Sequence, residues 1–362
     1  MSSNLAKLFQ STKIGDIEVA NRVVMAPLTR CRSDEANGDI PGSAMNIEYY
    51  RQRSNAGLIV SEGTQVSPVG KGYMATPGIY SDAQVEGWKP ITKAVHEAGS
   101  KIVAQIWHVG RVSHPDLTGG AQPIAPSAIK ADLVAYTHSG KVDLPVPHEM
   151  SLEDIATVVD QFRRGAANAI KAGFDGVEIH GANGYLIEQF IKDGANKRAD
   201  AYGGSIENRC KFVLEILDAV VKEIGAGKVG IRLSPVTPAN GISDSNPQPV
   251  YEYLVNEINK RNIAFIHFIE GSTGGPRDLT GFDFTWAKKT FNGAYIANNG
   301  YTRDMALEAI DSGKADAISF GRPYISNPDL VQRLKLNAPL APMNPKTFYA
   351  PGPEGYIDYP TL

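Results

Sequence analysis

The chain has 362 residues, of which 42% are hydrophobic and 21% are charged, and its formal net charge is -3. These proportions are those of a soluble globular protein and exclude a disordered chain. A pI near 6.2 without a run of Lys and Arg argues against a nucleic-acid partner. The chain has neither an apolar leader at its start nor an apolar stretch of roughly 18 residues, the length that spans a bilayer. We therefore expect a cytoplasmic protein with no membrane partner.

The two cysteines, Cys31 and Cys210, restrict the chemistry that the chain can carry. Two are too few for a disulfide framework and too few for a four-cysteine zinc or iron-sulfur site. We expect both to be reduced thiols, and we expect no metal centre.

Short, unbroken apolar runs alternate with helical patterns along the chain. Continuous runs are typical of parallel strands that are buried on both faces. The eight runs are 23–26, 57–60, 101–107, 176–179, 229–233, 264–269, 294–297 and 317–320. The helical segments are 83–98, 151–173, 210–224, 249–261, 302–311 and 328–335. This alternation predicts an α/β fold, a (β/α)8 TIM barrel that forms a single domain over residues 1–362, rather than a doubly wound sheet.

Two segments depart from the alternation. Residues 11–24 alternate apolar and polar around Gly15 and Asp16, which predicts a hairpin that plugs one end of the barrel. The connection after the third strand, about residues 108–150, is rich in Pro and Gly and contains a second hairpin pattern near 134–144. A connection of this length is a functional insertion more often than a plain loop, so we expect it to cap the catalytic face.

The stretch 176–185 ends a predicted strand in three polar side chains, those of His180, Asn183 and Tyr185. Gly181 and Gly184 allow the backbone to turn so that the three can converge. A single histidine after a strand is more often structural than catalytic. The triple is more specific, because neutral donors beside a phenol suit a carbonyl group that must be polarised and protonated.

Other polar residues follow the remaining strands, at the barrel end where active sites lie. Gly300 follows strand seven, and Gly321 and Arg322 follow strand eight, where barrels of this kind commonly hold a phosphate group. Gln105 offers an amide for a flat heterocycle, and Arg232 offers a cation for negative charge that develops on it. A flavin suits both, although each residue alone is more often turn or core chemistry.

The sequence contains five motifs that carry a resemblance: APLTR (26–30), QIWH (105–108), HGANGYL (180–186), RADAYGGSIENR (198–209) and FGRP (320–323). They resemble the Old Yellow Enzyme family of FMN-dependent ene-reductases, in the branch of pentaerythritol tetranitrate reductase and morphinone reductase. The motifs are long, in order and on different strands. The resemblance implies tight, non-covalent FMN held by Pro27, Leu28, Thr29, Gly63, Gln105, Arg232, Asn299, Gly300, Gly321 and Arg322. It also implies NADPH or NADH as the reductant.

The same resemblance implies a reaction and its residues. The enzyme would reduce the activated C=C bond of enones, enals and nitroalkenes, and also nitro compounds or nitrate esters, with ping-pong kinetics. His180 and Asn183 would bind the substrate oxygen, as they would bind phenolic ligands, and Tyr185 would protonate the α carbon. Thr29 would tune the flavin, and Cys31 would be structural. Trp107, Tyr73 and Tyr349 would line the pocket.

Two alternatives remain open from the sequence. Another FMN barrel reductase would require a cysteine cluster or a basic face, and neither is evident. A non-catalytic barrel that binds flavin or another ligand would keep the phosphate loops and lose the polar residues after strand four. We expect a monomer or a weak homo-oligomer that acts on small molecules.

Overall fold

The computed structural model describes residues 6–362 as one closed barrel with helices outside it. Its strands are β1 (Thr12–Ile14), β2 (Ile17–Val19), β3 (Val23–Met25), β4 (Leu58–Val60), β5 (Thr64–Gln65), β6 (Lys101–Trp107), β7 (Ile124–Ala125), β8 (Val134–Thr137), β9 (Gly140–Asp143), β10 (His148–Glu149), β11 (Gly176–Gly181), β12 (Val229–Leu233), β13 (Phe265–Ile269), β14 (Ala294–Asn298) and β15 (Ala317–Phe320). Its α-helices are α1 (Ala44–Gln52), α2 (Asp82–Glu97), α3 (Leu152–Lys171), α4 (Leu186–Ile191), α5 (Ile206–Ile224), α6 (Pro247–Asn259), α7 (Phe284–Thr290), α8 (Arg303–Asp311), α9 (Arg322–Ser326) and α10 (Leu330–Leu336).

The eight barrel strands pair in parallel in the order β3, β4, β6, β11, β12, β13, β14 and β15. The ring closes where β15 pairs with β3, with Ile318 opposite Val23. These strands are short and buried on both faces, because helices cover the outside while side chains fill the inside. The predicted TIM barrel is confirmed. Within residues 6–362, no helix is long and apolar enough to cross a bilayer.

The N-terminal hairpin closes the amino end of the barrel, as predicted. β1 and β2 pair antiparallel on either side of Gly15, which adopts a φ of 59°. The apolar side chains of Ile14, Ile17 and Val19 pack with the inward-facing residues at the starts of the barrel strands. The backbone N–H of Asp16 donates to the carbonyl of Gly227 at 2.8 Å, which attaches the turn to the barrel.

The long helices lie close to the predicted segments, and four of the short ones were missed. Helix α5 begins at Ile206, four residues before the predicted start, because the Ser205 hydroxyl accepts a hydrogen bond from the N–H of Asn208 and caps the helix there. Helices α1, α4, α7 and α9 were not predicted. Each has nine residues or fewer, too short for a clear helical period.

The insertion after β6 forms the predicted cap. β8 and β9 make an antiparallel hairpin, and β7 pairs in parallel with β10. Ala135 and Leu144, from the hairpin and the residue after it, pack in one cluster with Trp107 and Tyr185. The hairpin therefore covers the carboxyl end of the barrel on the side of β6 and β11.

Glu62, just after β4, is a buried carboxyl group that links α1 to the loop after β3. Its oxygens accept hydrogen bonds from the N–H of Arg30 at 3.3 Å and from the hydroxyl of Tyr50 at 3.4 Å. Burial raises the pKa of Glu62 from 4.5 to about 7. Because the unfolded chain releases this proton at lower pH than the folded chain, Glu62 makes folding less favourable as pH rises from 4.5 to 7.

We predict that Glu62→Gln gains stability relative to the wild type as pH rises. The shift in the pKa of Glu62 sets an upper limit of about 3 kcal/mol for the gain at pH 8. Guanidinium unfolding at pH 5, 6.5 and 8 measures it. Glu149→Gln, at an exposed position on β10, controls for the loss of one carboxyl group. A difference between variant and wild type that stays constant with pH would contradict the assignment.

Candidate active site

The barrel interior has an apolar layer covered by a polar one. Val103, Phe265 and Ile296 belong to the apolar cluster at the amino end. Two residues further along each strand the same face carries a polar side chain, since side chains of a strand alternate between its faces. Together with Glu178 and Arg232, which lie in register beside them, these residues form what we call the polar layer. Its members are Gln105, Glu178, Arg232, His267, Asn298 and Ser319.

Two hydrogen-bonded groups make up the polar layer. In the first, Gln105 Nε2 donates to Glu178 Oε1 at 2.8 Å, and Glu178 Oε2 lies 2.7 Å from Nδ1 of His267. In the second, Arg232 Nη2 donates to Asn298 Oδ1 at 2.8 Å. All of these residues are buried, so the layer holds charged and polar groups without bulk water. Such an arrangement is stable only when the groups are paired.

Arg232 is the cation of the polar layer. Burial lowers the pKa of its guanidinium to about 10, while Glu178 acts in the opposite direction. Arg232 therefore remains charged at neutral pH. Within residues 6–362 its Nε has no hydrogen-bond partner. A buried N–H donor on a charged group is a position at which an acceptor atom of a ligand is strongly favoured.

His180 is a neutral hydrogen-bond donor at the end of β11. Burial lowers the pKa of its imidazole well below the usual range, and the charge of Arg232 adds to this effect. Its Nδ1 lies 3.3 Å from the N–H of Ala182 and accepts from it. The proton of the neutral ring is therefore on Nε2, which leaves Nε2–H to donate to a ligand.

Asn183 is held by three other residues and offers one free group. Its N–H donates to Ser234 Oγ at 2.9 Å, and its carbonyl accepts from Asn240 Nδ2 at 2.8 Å. Its Oδ1 accepts from the Thr273 hydroxyl at 2.6 Å. Within residues 6–362 the side-chain Nδ2 has no such partner, so Asn183 offers this N–H group as a donor to a ligand. Its φ of 61° places this side chain at the turn.

A buried ion pair supports the same turn from below. Glu188 accepts from the N–H of Gly184 at 2.6 Å and from the Ser234 hydroxyl at 2.7 Å. Lys192 lies 3.1 Å from the same carboxylate, and the Tyr251 hydroxyl donates to it at 2.9 Å. Glu188 and Lys192 are almost completely buried. The conformation of the turn is therefore fixed by groups that cannot move without losing paired charge.

Aromatic side chains surround the two donors. The ring of Trp107 stacks on His180, with centroids 6.0 Å apart, and on Tyr73 at 5.9 Å. The hydroxyl groups of Tyr73 and Tyr185 lie 2.8 Å apart. Burial raises the pKa of Tyr185 well above its usual range, so its phenol is protonated at neutral pH. Tyr349 lies on the C-terminal segment and is 66% exposed.

The segment after β3 and the loop after β4 form another wall. Pro27, Leu28 and Thr29 are half-buried, and the Thr29 hydroxyl has no hydrogen-bond partner in the described part of the chain. At Gly63 a Cβ atom would lie 2.7 Å from the indole of Trp107. Glycine at position 63 is therefore required for the packing of Trp107, whatever its contact with a ligand.

In the loops after β14 and β15, backbone groups are accessible to a ligand. Gly300 has a φ of 68°, and the nearest side-chain atom to a Cβ at Gly321 would be 3.6 Å away. Asn299 donates from its side-chain Nδ2 to the carbonyls of Glu270 and Ser272, so the donor that it has left for a ligand is its backbone N–H. Arg322 is exposed and donates to the carbonyl of Gly274 at 2.6 Å.

These features fit FMN. A flat ring with acceptors and donors suits the unpartnered Nε of Arg232, the amide of Gln105 and the free hydroxyl of Thr29. A phosphate tail suits the open backbone at Gly300 and Gly321 beside the charge of Arg322.

Several residues of this site were missed by the sequence analysis. Glu178 and His267 were assigned to buried strands without a role, and Ser234, Asn240 and Thr273 were not considered. A polar, titratable residue inside an apolar run was the available signal for Glu178 and His267. The other three lie in loops, and only the fold brings them to Asn183.

A parallel barrel with a buried cation, two neutral donors and a phenol at its carboxyl end defines the class of flavin-dependent barrel oxidoreductases. The sequence profile described as "NADH:flavin oxidoreductase / NADH oxidase family" matches residues 7–341. The chain belongs to this family, which is that of Old Yellow Enzyme.

The chain is similar over nearly its whole length to several named proteins. It is 44% identical to 12-oxophytodienoate reductase 1 of Oryza sativa subsp. japonica over 97% of this chain and 92% of that protein. It is 41% identical to a probable flavin mononucleotide-dependent alkene reductase of Leishmania infantum, over 100% and 99% of the two chains. The Old Yellow Enzyme homologue of Zymomonas mobilis has 42% identity and a TM-score of 0.94, over 98% and 100% of the two chains. Morphinone reductase has 41% identity and a TM-score of 0.92, over 100% and 98%.

We predict that Gly63→Ala destabilises the cofactor-free protein, because the added methyl group overlaps Trp107. Overpacking of this kind typically costs about 1–3 kcal/mol. Urea unfolding measures the loss, and near-ultraviolet circular dichroism reports the displaced indole. Gly321→Ala is the matched control, since its methyl group meets no atom closer than 3.6 Å. Equal stability of the two variants would show that Trp107 has room to move.

Proposed function

We propose that the protein is an NADH- or NADPH-dependent alkene reductase that uses FMN to reduce the activated C=C bond of enones, enals and nitroalkenes. One observation carries the proposal. His180 Nε2 and Asn183 Nδ2 are neutral donors at the end of β11, and the protonated phenol of Tyr185 lies beside them. The names of the relatives, an alkene reductase and a 12-oxophytodienoate reductase among them, agree with it.

The cofactor would lie over the polar layer. Residues that would hold it are Pro27, Leu28, Thr29, Gly63, Gln105, Arg232, Asn299, Gly300, Gly321 and Arg322. Arg232 would hold negative charge on the ring system, and Arg322 with the backbone at Gly300 and Gly321 would hold the phosphate. When bound, FMN supplies hydride transfer between the nicotinamide and the substrate. The nicotinamide and the substrate would use the same pocket in turn.

His180 and Asn183 would bind the oxygen of the substrate. Negative charge grows on that oxygen as the β carbon accepts hydride, and fixed donors stabilise it without reorganisation. A cationic histidine would donate a stronger hydrogen bond, but burial next to Arg232 lowers the pKa of His180 and keeps it neutral. The site would therefore bind the carbonyl or nitro oxygen of a neutral substrate with Arg232 as its buried positive charge.

Tyr185 would protonate the α carbon, because its phenol remains protonated over the physiological range and its ring is 5.1 Å from that of His180. Trp107 and Tyr73 would pack against the substrate from the barrel side, and Tyr349 would cover it from the exposed side. Such a pocket would also admit nitro compounds, nitrate esters and phenols.

A direct experiment tests the proposal. The purified protein should be yellow, lose its flavin absorbance when NADPH or NADH is added without oxygen, and regain it on addition of cyclohexenone. A protein that binds FMN and cannot be reduced by either nicotinamide would be a non-catalytic flavin-binding barrel. A protein that never retains FMN would contradict the proposal as a whole.

We predict that Tyr185→Phe separates the two half-reactions. Flavin reduction by NADPH needs no proton on carbon and should stay near the wild-type rate. Reoxidation by cyclohexenone should slow about 10²–10⁴-fold, the usual contribution of a general acid. Rapid-mixing absorbance of the flavin resolves both steps.

A nitroalkene provides the internal control for Tyr185→Phe. Its reduction gives a nitronate that can leave the site and take a proton from water, so its reoxidation step should change much less. Equal slowing of all three steps would mean that Tyr185 shapes the pocket and does not deliver the proton.

We also predict that Thr273→Val weakens phenol binding through Asn183. The hydroxyl of Thr273 fixes the amide of Asn183 with Nδ2 towards the ligand, and its loss should cost about 0.5–1.5 kcal/mol. Thr273→Ser keeps the hydroxyl and should restore the affinity. The long-wavelength absorbance of the flavin-phenol complex measures the dissociation constant.

A double-mutant cycle identifies the path of the Thr273 effect. In the Asn183→Ala background, Thr273→Val should have no further effect on phenol affinity, because the amide that it orients is gone. Additive losses would show that Thr273 acts on the loop after β13 and not on Asn183. If Asn183→Ala itself leaves phenol affinity unchanged, Asn183 is not a ligand donor.

A further inference from the structure

Glu178 is completely buried in the barrel interior and has no part in the chemistry described above. TIM barrels fill this position with branched apolar side chains. An ionised carboxylate in such a place has a large desolvation cost, and replacing a buried ion pair with apolar residues is often neutral or stabilising. Packing and stability alone therefore give no reason for Glu178, whereas an electrostatic role at the adjacent site does.

The charges in the polar layer can be assigned from its hydrogen bonds. A cationic His267 would present an Nε2–H donor that has no partner within the described residues. A neutral His267 donates from Nδ1 to Glu178 and leaves only a lone pair unpartnered. Burial also lowers the pKa of His267 below its usual value. His267 is therefore neutral, Glu178 balances Arg232, and the layer carries no net charge.

The position of Glu178 connects it to both ligand-facing groups. It lies opposite Gln105 across the β6–β11 pair, and its carboxylate acts on the guanidinium of Arg232. The bond from Gln105 Nε2 uses one amide N–H, so Oε1 and the second N–H are left for a ligand. Glu178 thereby determines which atoms of Gln105 a heterocycle meets.

We propose that Glu178 is a positioning and charge-balancing residue that lowers the reduction potential of the bound flavin by neutralising Arg232 and that fixes the amide orientation of Gln105. The inference rests on the proposed placement of FMN over Gln105 and Arg232. Reduction places negative charge on the ring, which Arg232 favours and Glu178 opposes. In a dry interior such charges interact strongly over several ångströms. The potential is therefore set by the difference between two buried charges.

The test is the reduction potential of the flavin in the FMN-loaded Glu178→Gln variant, measured by equilibration with a reference dye. We expect the equilibrium constant for two-electron reduction to rise at least tenfold, a positive shift of about 30 mV or more. Glu215→Gln, a partly exposed carboxylate bonded to Tyr202, removes the same charge elsewhere and should leave the potential unchanged. An unchanged or more negative potential in Glu178→Gln would overturn the inference.

Two further variants keep the test decisive if Glu178→Gln retains FMN poorly. Arg232→Gln should shift the potential in the negative direction. The double variant Glu178→Gln/Arg232→Gln again has no net charge in the layer, so its potential should be more positive than that of Arg232→Gln alone. Its thermal stability should also exceed that of Glu178→Gln, because no buried charge is left uncompensated. If the double variant has the same potential as Arg232→Gln, Glu178 does not act on the flavin.

His267→Asn tests whether His267 is neutral. The wild-type protein distinguishes a failure of the proposed function from a failure of the role assigned to Glu178. Asparagine can donate to Glu178 as neutral histidine does, so the potential should stay near the wild-type value. A clear negative shift would mean that His267 is a cation, and the layer would not be neutral. A wild-type protein without reversible flavin reduction would refute the proposed function, whereas normal reduction with an unshifted Glu178→Gln would refute this inference alone.

Discussion

Closure of the barrel excludes water from the polar layer, and the site depends on this constraint. Each group in the layer must find its partner inside the protein, and the register of the parallel strands brings the partners to one level. Gln105 lies beside Glu178, and Arg232 and His267 lie side by side, where they bond to Asn298 and Glu178 respectively. A slip of one residue in any of these strands would turn the polar side chains to the outside and leave a charge unpaired. The pairing of charge and the register of the barrel therefore reinforce each other.

The exclusion of water also determines the protonation states of the residues above the polar layer. Burial and the charge of Arg232 keep His180 neutral, and burial keeps Tyr185 protonated, so both act as donors. Asn183 needs no such tuning, because Thr273 and Ser234 hold it in one orientation. Desolvation therefore makes His180 and Tyr185 hydrogen-bond donors, whereas the hydrogen bonds that hold Asn183 make it a donor at the same turn.

The sequence predicted the barrel well because its strands are continuous apolar runs, a pattern that is local in the chain. It also predicted the positions of His180 and Arg232, since residues after barrel strands converge. It could not predict that Thr273 orients Asn183, which is 90 residues away. Nor could it assign Glu178, because a charge within a buried strand has meaning only when its neighbours on adjacent strands are known. Short helices such as α4 were missed because their stability comes from packing and not from their own pattern.

The C-terminal segment and the capping hairpin, which form the roof of the pocket, are held by other contacts than the polar layer below it. Arg30 and Arg32 donate to backbone carbonyls of the C-terminal segment, at Phe348 and Thr347, and so hold the segment that carries Tyr349. At the other side, His138 of the capping hairpin lies 2.9 Å from Glu35. These contacts join distant parts of the chain and share no residue with the polar layer. A change in the roof can therefore alter which substrates fit while the donors and the buried charges below stay in place.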